Sequence, residues 1–298
     1  MSHATITGTL EGLLPLSSGS IYSVTEEVEI GKAKWALGYE NVKKVFYVRC
    51  VVPEGANYLW NITARGRLAV WDSDEQRKSV MWSGSFTCLD KLDGCAWSDP
   101  FVVASATGNK FQVEIEVIKT RIMDLSSPTN EAIDSPEDAA CLDVDGQKVW
   151  VSKKVLSWHS PYFKTFFFGD FKEKATESYS LKDMKINEFK RFLAIIFNFD
   201  IPIRTDASFE DLLRLGDMYQ CDTVLRFCRE LIRNPKTEYV SLKTKILFCD
   251  RQGFSPLLAD IIRDAPLNDL KEFIKTGYDG DLNPFVHCLI EERFVGSD

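Results

Sequence analysis

Histidine is scarce in this chain: His3, His159 and His287 are the only three in 298 residues. His159 stands beside Ser160, and His287 and Cys288 are neighbours on a predicted helix, so their side chains diverge. They supply no four-ligand zinc set, and a Cys–His nucleophile pair is a remote reading. The phosphate loop G-x-x-x-x-G-K-[ST], the nucleophile elbow G-x-S-x-G and a strand-led G-x-G-x-x-G are all missing. The carboxylates are plentiful but fall on polar faces. No catalytic residue, no metal and no cofactor is therefore expected. Basic excess is missing too. Lys and Arg total 36 against 44 Asp and Glu, a net charge of −8, which argues against a nucleic-acid partner. No apolar run reaches the roughly 18 residues that span a bilayer. The N-terminal MSHATITGTLEGLLPL lacks a basic n-region followed by a long apolar run. These absences predict no membrane association and a soluble intracellular protein, cytoplasmic and/or nuclear. None of the eight cysteines forms C-x-x-C; most sit in apolar runs, as Cys228 does in LRFCREL, and are read as reduced core residues.

What is present divides the chain in two. At 298 residues with 45% hydrophobic content, two domains with real cores are expected. Before residue 125 the pattern is strand-like. Phe111, Val113, Ile115 and Val117 alternate with Gln112, Glu114, Glu116 and Ile118, and Val45–Cys50 is rich in β-branched and aromatic residues. Arg67–Trp71 is a further short run, and turn formers lie between, which suggests an antiparallel sandwich. Residues 126–138, SSPTNEAIDSPED, hold two Ser-Pro pairs, four acids and no base. Such a composition cannot bury enough surface to fold alone and reads as a linker. Its serines Ser126, Ser127 and Ser135 are candidate phosphosites in a segment expected to be flexible.

After the linker, Leu142 and Val144, then Asp145-Gly146, then Val149 and Val151 spell a β-hairpin. Helices follow. Ser160-Pro161 pairs an N-cap with proline at the first helical position, and Phe163, Phe166 and Phe167 recur at helical spacing. Asn187, Ser208 and Asp222 are expected to cap the next three helices. Helix starts at Ser255-Pro256, Asn268 (closed by Gly277) and Asn283-Pro284 complete a helical tail. The predicted class is α+β multidomain: a β-sandwich at 5–122, an acidic Ser/Pro linker at 123–138, an α/β domain at 139–235 and a helical extension at 236–298.

Residues 139–235 resemble a BTB (POZ) domain. The matching features run in order: the LDVDG-x-x-V-W-V hairpin, Lys154-Val155-Leu156, His159-Ser160-Pro161-Tyr162-Phe163, Phe166-Phe167, Leu181-x-Asp183, Phe189–Phe197 and Leu212–Ile232. The aspartate often placed at the first strand of the family matches Ala139, with Asp138 one residue early. Residues 5–122 resemble a MATH (TRAF-like) domain, an eight-stranded sandwich, through Trp35, the Val45–Val52 run, Trp97-x-x-x-Phe101 and the closing Phe111–Val117 strand. The order of the two resembles the MATH–BTB proteins.

The resemblance implies a substrate adaptor of a cullin-3 RING ubiquitin ligase. The MATH domain would hold protein substrates through a short linear motif. The BTB domain would form a homodimer or higher oligomer and dock cullin-3, with ubiquitin chemistry on other subunits. The family's hydrophobic-x-glutamate motif falls on Phe171-Lys172-Glu173, with Tyr162 near the same face; an exposed Phe can anchor an interface and the carboxylate can select a basic partner. Trp97 falls where related domains place a groove tryptophan, and Asp99 stands where they carry an aromatic. Leu156 and Trp158 are candidates for the dimer interface, although core packing explains them equally well. The rival reading is a BTB-driven oligomeric scaffold that does not recruit cullin.

Overall fold

The computed structural model describes residues 6–14, 22–40, 42–52, 57–71, 77–89, 96–103, 110–169, 178–234, 237–276 and 282–295. The chain packs as two compact units: Met1–Leu156 with Asp170–Pro202, and Ser157–Gly169 with Ile203–Asp298.

The first unit opens with a two-sheet sandwich. One sheet has the order β1 (Ile6–Leu13), β9 (Lys110–Asp124), β6 (Tyr58–Trp71), β7 (Lys78–Thr87). The other has β2 (Tyr22–Val24), β4 (Ala33–Glu40), β5 (Val45–Val51) and β8 (Ala96–Trp97), with β3 (Val28–Ile30) also on β4. β2 and β3 pair with successive stretches of β4, so they act as one strand interrupted at Thr25. The Thr25 hydroxyl accepts from the Leu37 amide at 3.0 Å and fills the break in the ladder. That resolves nine labelled strands into the eight expected of the sandwich. The Arg67–Trp71 run is the end of a much longer strand: β6 has 14 residues and β9 has 15. A register shift at Thr63/Ala64 lets both stay paired over that length. Trp35 is fully buried, donates from Nε1 to the Ile30 carbonyl at 3.1 Å and meets Phe86 edge-on at 5.1 Å. Gly66 is there because a Cβ would stand 1.7 Å from the Glu114 carbonyl oxygen.

The same unit holds a three-stranded sheet, β11 (Gln147–Ser152), β10 (Ala139–Val144), β12 (Ser178–Leu181). β10 pairs antiparallel with β11 and parallel with β12. Asp145 at φ 53° and Gly146 at φ 73° form the tight turn that the Asp-Gly pair predicts. Asp138, only 3% exposed, accepts from the Ser152 hydroxyl (2.6 Å) and the Lys154 amide (2.8 Å). It therefore anchors the first turn of α1 (Lys153–His159). α2 (Pro161–Phe168) belongs to the second unit and α3 (Ile186–Ile196) to the first.

Residues 125–134 depart from the expectation of a flexible linker. They form successive turns that borrow partners from both flanking sheets. Leu125 is fully buried; its amide donates to the Asn57 carbonyl, and its carbonyl accepts from the Trp150 amide at 2.7 Å. Asn130 is 7% exposed and donates to the Ser127 and Trp150 carbonyls while accepting from the Ala132 amide. The Ser126 hydroxyl donates to Asp124, and the Ser127 hydroxyl meets that of Thr129. Composition measures what a segment can bury by itself; this one is held by backbone groups distant in sequence.

The second unit is helical: α2, then α4 (Asp206–Met218), α5 (Asp222–Arg233), α6 (Leu242–Arg251), α7 (Ser255–Asp264), α8 (Leu267–Thr276) and α9 (Pro284–Val295). Three expected caps are corrected. α3 begins at Ile186 after Lys185, with no side-chain cap, so Asn187 lies inside the helix. Thr205 caps α4 by accepting from the Ser208 amide, and Cys221 precedes α5 with Asp222 at its first position. A polar residue in the first turn resembles a cap in sequence; only the backbone dihedrals separate the two. α6 has no counterpart among the expected elements; Ser241 caps it. The Gly277 stop lies outside the described residues.

Candidate functional site

The aromatic helix α2 is built as its sequence dictates. The Ser160 hydroxyl accepts from the Phe163 amide at 3.1 Å and donates to the Tyr219 carbonyl at 2.5 Å. This double bond to the backbone satisfies a fully buried hydroxyl and ties α2 to the end of α4. Phe163 and Phe167 point inward and stack at 5.7 Å, and Phe163 lies 4.7 Å from Tyr219. Tyr162 covers this core from outside, 5.1 Å from Tyr219 and stacked on Phe166 at 5.7 Å. Burial, with Tyr162 second, pushes the Tyr219 hydroxyl well above the usual phenol range, so it stays a neutral packing group.

Around this core the surface carries large apolar side chains. Trp158 on α1 is 87% exposed, Phe168 at the end of α2 55%, and Tyr162 37%. Trp158 is thus a large apolar side chain left open to water. Leu156, the other dimer candidate, is fully buried and belongs to the core. Phe171 and Glu173 lie outside the described residues.

The sandwich contributes a second candidate face. β8 is a two-residue strand pairing Trp97 with Arg49 and Ala96 with Cys50. Ser98 pins it by donating its amide to the Val48 carbonyl at 2.9 Å and accepting the Val48 amide on its hydroxyl at 3.0 Å. The Trp97 side chain lies outside the described residues; Asp99 is exposed just beyond it. Phe101 is half-buried and stacks on Phe46 at 6.4 Å. Arg49 of β5 and Lys34 of β4 meet Glu27, between β2 and β3, at 3.0 Å and 3.8 Å, while Tyr47 of β5 donates to Glu40 of β4.

His159 Nδ1 bonds the Thr223 hydroxyl at 2.9 Å, and burial, aided by the Arg226 charge, lowers its pKa. Burial pushes the Cys249 thiol up to about 12 and the Cys228 thiol higher still, so neither supplies thiolate near neutral pH. Six of the seven cysteines among the described residues are buried; Cys288 is exposed. Among the described residues no three His, Cys, Asp or Glu side chains gather as a metal site, and no helix is long and apolar enough to cross a membrane.

Residues 138–236 match the BTB/POZ domain family. Over 287 residues, covering 88% of this chain and 71% of the relative, the sequence is 25% identical to BTB and MATH domain-containing protein 38 of Caenorhabditis elegans. It is 24% identical over 234 residues to BTB and MATH domain-containing protein 15 of the same organism, covering 75% of this chain and 83% of the relative. Similarity to BTB and MATH domain-containing protein 45 is higher, 33%, but confined to 89 residues, 30% of this chain and 19% of that one. Residues 138–236 thus match the BTB/POZ family, and most of the chain is similar to proteins named for BTB and MATH domains, a likeness that supports a protein-interaction role in an α+β architecture.

Proposed function

We propose that the chain is a substrate-recognition adaptor of a cullin-3 RING ubiquitin ligase. The sandwich holds a short linear motif of the target along the β8 edge, where Trp97 and Asp99 set the preference. Two copies pair through the α1 face, with Trp158 at the contact. Cullin-3 docks on Tyr162 and on the segment bearing Phe171 and Glu173. The chain itself performs no chemistry and needs no cofactor; transfer of ubiquitin belongs to other subunits. It works in the cytoplasm, the nucleus or both.

The observation that supports this reading best is Trp158, 87% exposed on α1, the helix that also carries the fully buried Leu156. An anchor of that size gains several kcal/mol-scale contact only when a partner desolvates it. Pairing would also give two target grooves per assembly, which raises avidity by roughly 10²-fold or more for a target with two motifs. The test is a pulldown of cullin-3 with the Phe171→Ala, Glu173→Ala double variant. Loss of cullin with an unchanged oligomeric state supports the adaptor. Unchanged cullin capture rejects this docking surface, and no capture by the parent leaves the oligomeric scaffold as the function.

A further inference from the structure

Arg121 stands near the end of β9, in the sandwich, yet its partners belong to the BTB region of the same unit. Its Nη1 donates to the Phe197 carbonyl at 2.5 Å and to the Asn198 carbonyl at 3.2 Å. These belong to the C-cap of α3 and the residue after it. That helix ends in a Schellman arrangement: the Phe199 amide bonds back to Ala194 and the Asn198 amide to Ile195. Asn198 takes the left-handed conformation, φ 53°, that the arrangement requires and that Asn tolerates. The turn leaves the carbonyls of 197 and 198 unused by the helix and directed at the guanidinium. A cation there also meets the negative end of the helix dipole. The guanidinium lies over the Phe199 ring at 4.1 Å, and its Nε faces Glu131 of the connecting segment at 3.3 Å.

Further contacts join the same bodies. Asn61 Nδ2, on a side chain 2% exposed, donates to the Asp200 carbonyl at 3.0 Å and to Ser85 at 2.9 Å. On the other side, Trp150 lies on β11, an edge strand of its sheet. Its outward amide and carbonyl, which would otherwise offer an open edge, bond Leu125 and Asn130 of the connector. Asn57 adds a bond to the Lys148 carbonyl at 3.1 Å.

We propose that Arg121 is a positioning residue that clasps the target-binding sandwich to the BTB sheet and α3, so that the two move as one rigid body with no hinge at 125–134. A target held on the sandwich is then presented in a fixed direction relative to that sheet. The inference stands independently of cullin docking, since it concerns only how two parts of one chain are joined. The distinction from a tethered arrangement is sharp, because a flexible connector of ten residues leaves orientation free.

The test uses the full-length chain. Methyl or amide relaxation should give strands β4–β6 and strands β10–β11 one common correlation time. Two different times in the parent overturn the proposal outright. Arg121→Ala should split the times and speed hydrogen exchange about tenfold in 125–134 and 197–200 while leaving α4 and α5 unchanged. Arg121→Lys, which keeps the charge but loses the planar fork, should fall between parent and Ala. Unchanged exchange and a single correlation time in Arg121→Ala assign the clasp elsewhere and overturn the role of Arg121. The parent measurement decides the rigid-body claim even where a variant fails to fold.

Discussion

The two units of this chain are stabilised by different means. In the first, order comes from partners far apart in sequence: β6 pairs with β9 across some fifty residues, as in Arg67↔Glu114 and Leu68↔Val113. The connector is pinned by Asn57 and Trp150. In the second, order is local. Short helices carry their own caps at Ser160, Thr205 and Ser241, and α4 ends in its own Schellman turn at Gln220, φ 49°. The difference teaches where a given change is felt. A defect in a long-range ladder has no local substitute, whereas a lost cap weakens one helix end.

The sharpest way to break the contrast is Gly66→Ala. The added Cβ would meet the Glu114 backbone oxygen, which cannot swing aside as a side chain can. A cost of about 3 kcal/mol or more is expected, read as loss of the sandwich transition in calorimetry. Phe163→Ala tests the helical unit at its centre. Removing a fully buried ring shared with Phe167 and Tyr219 should cost about 3 kcal/mol, measured by denaturant unfolding, with the β6–β9 amides still protected. If those amides open equally, the two units are one cooperative system and the comparison fails.

Smaller changes sharpen it. Ser160→Ala removes the α2 cap and a buried donor to Tyr219, an expected loss of about 1–2 kcal/mol, visible as faster exchange at the start of α2. Trp158→Ala should leave unfolding free energy within about 0.5 kcal/mol, as surface changes do, yet lower self-association in sedimentation. A stability loss comparable with Phe163→Ala would make Trp158 core and remove the proposed contact. The smallest effect is a pH dependence. His159 has its pKa lowered from 6.5 by burial first and the Arg226 charge second. The unfolded chain therefore takes up the proton first as pH falls. Stability is full above 6.5 and declines below it until the folded state is protonated as well. His159→Gln should flatten the stability slope just below pH 6.5; an unchanged slope assigns it to other groups.

Much of this could be read before any coordinates. The Asp-Gly hairpin was legible because a two-residue turn leaves few alternatives, and Ser160-Pro161 because cap and proline act within one turn. The stripe of Val224, Cys228 and Ile232 gave α5 for the same reason, since its periodicity is a local property. β6 was seen only at its end, although Ile62, Ala64, Gly66 and Leu68 alternate with Thr63, Arg65 and Arg67 along it; the strand is continuous because β7 and β9 pair with both its edges. Leu156 and Trp158, two residues apart, look alike in sequence, yet helical geometry buries one and exposes the other.

What the sequence by itself determined is therefore the inventory of local elements, the family resemblance and the absence of recognised catalytic motifs. Those depend on spacing and composition within a few residues. Only the tertiary structure decided that 125–134 is a bonded connector, that Asp138 anchors α1, and that Arg121 reaches the end of α3. Each of these joins a polar group to a backbone partner that nothing nearby in the chain announces: 16 residues away for Asp138 and 76 for Arg121. Hydrogen-bonding demand is written in the residue, but the identity of the partner is fixed only when the chain has folded.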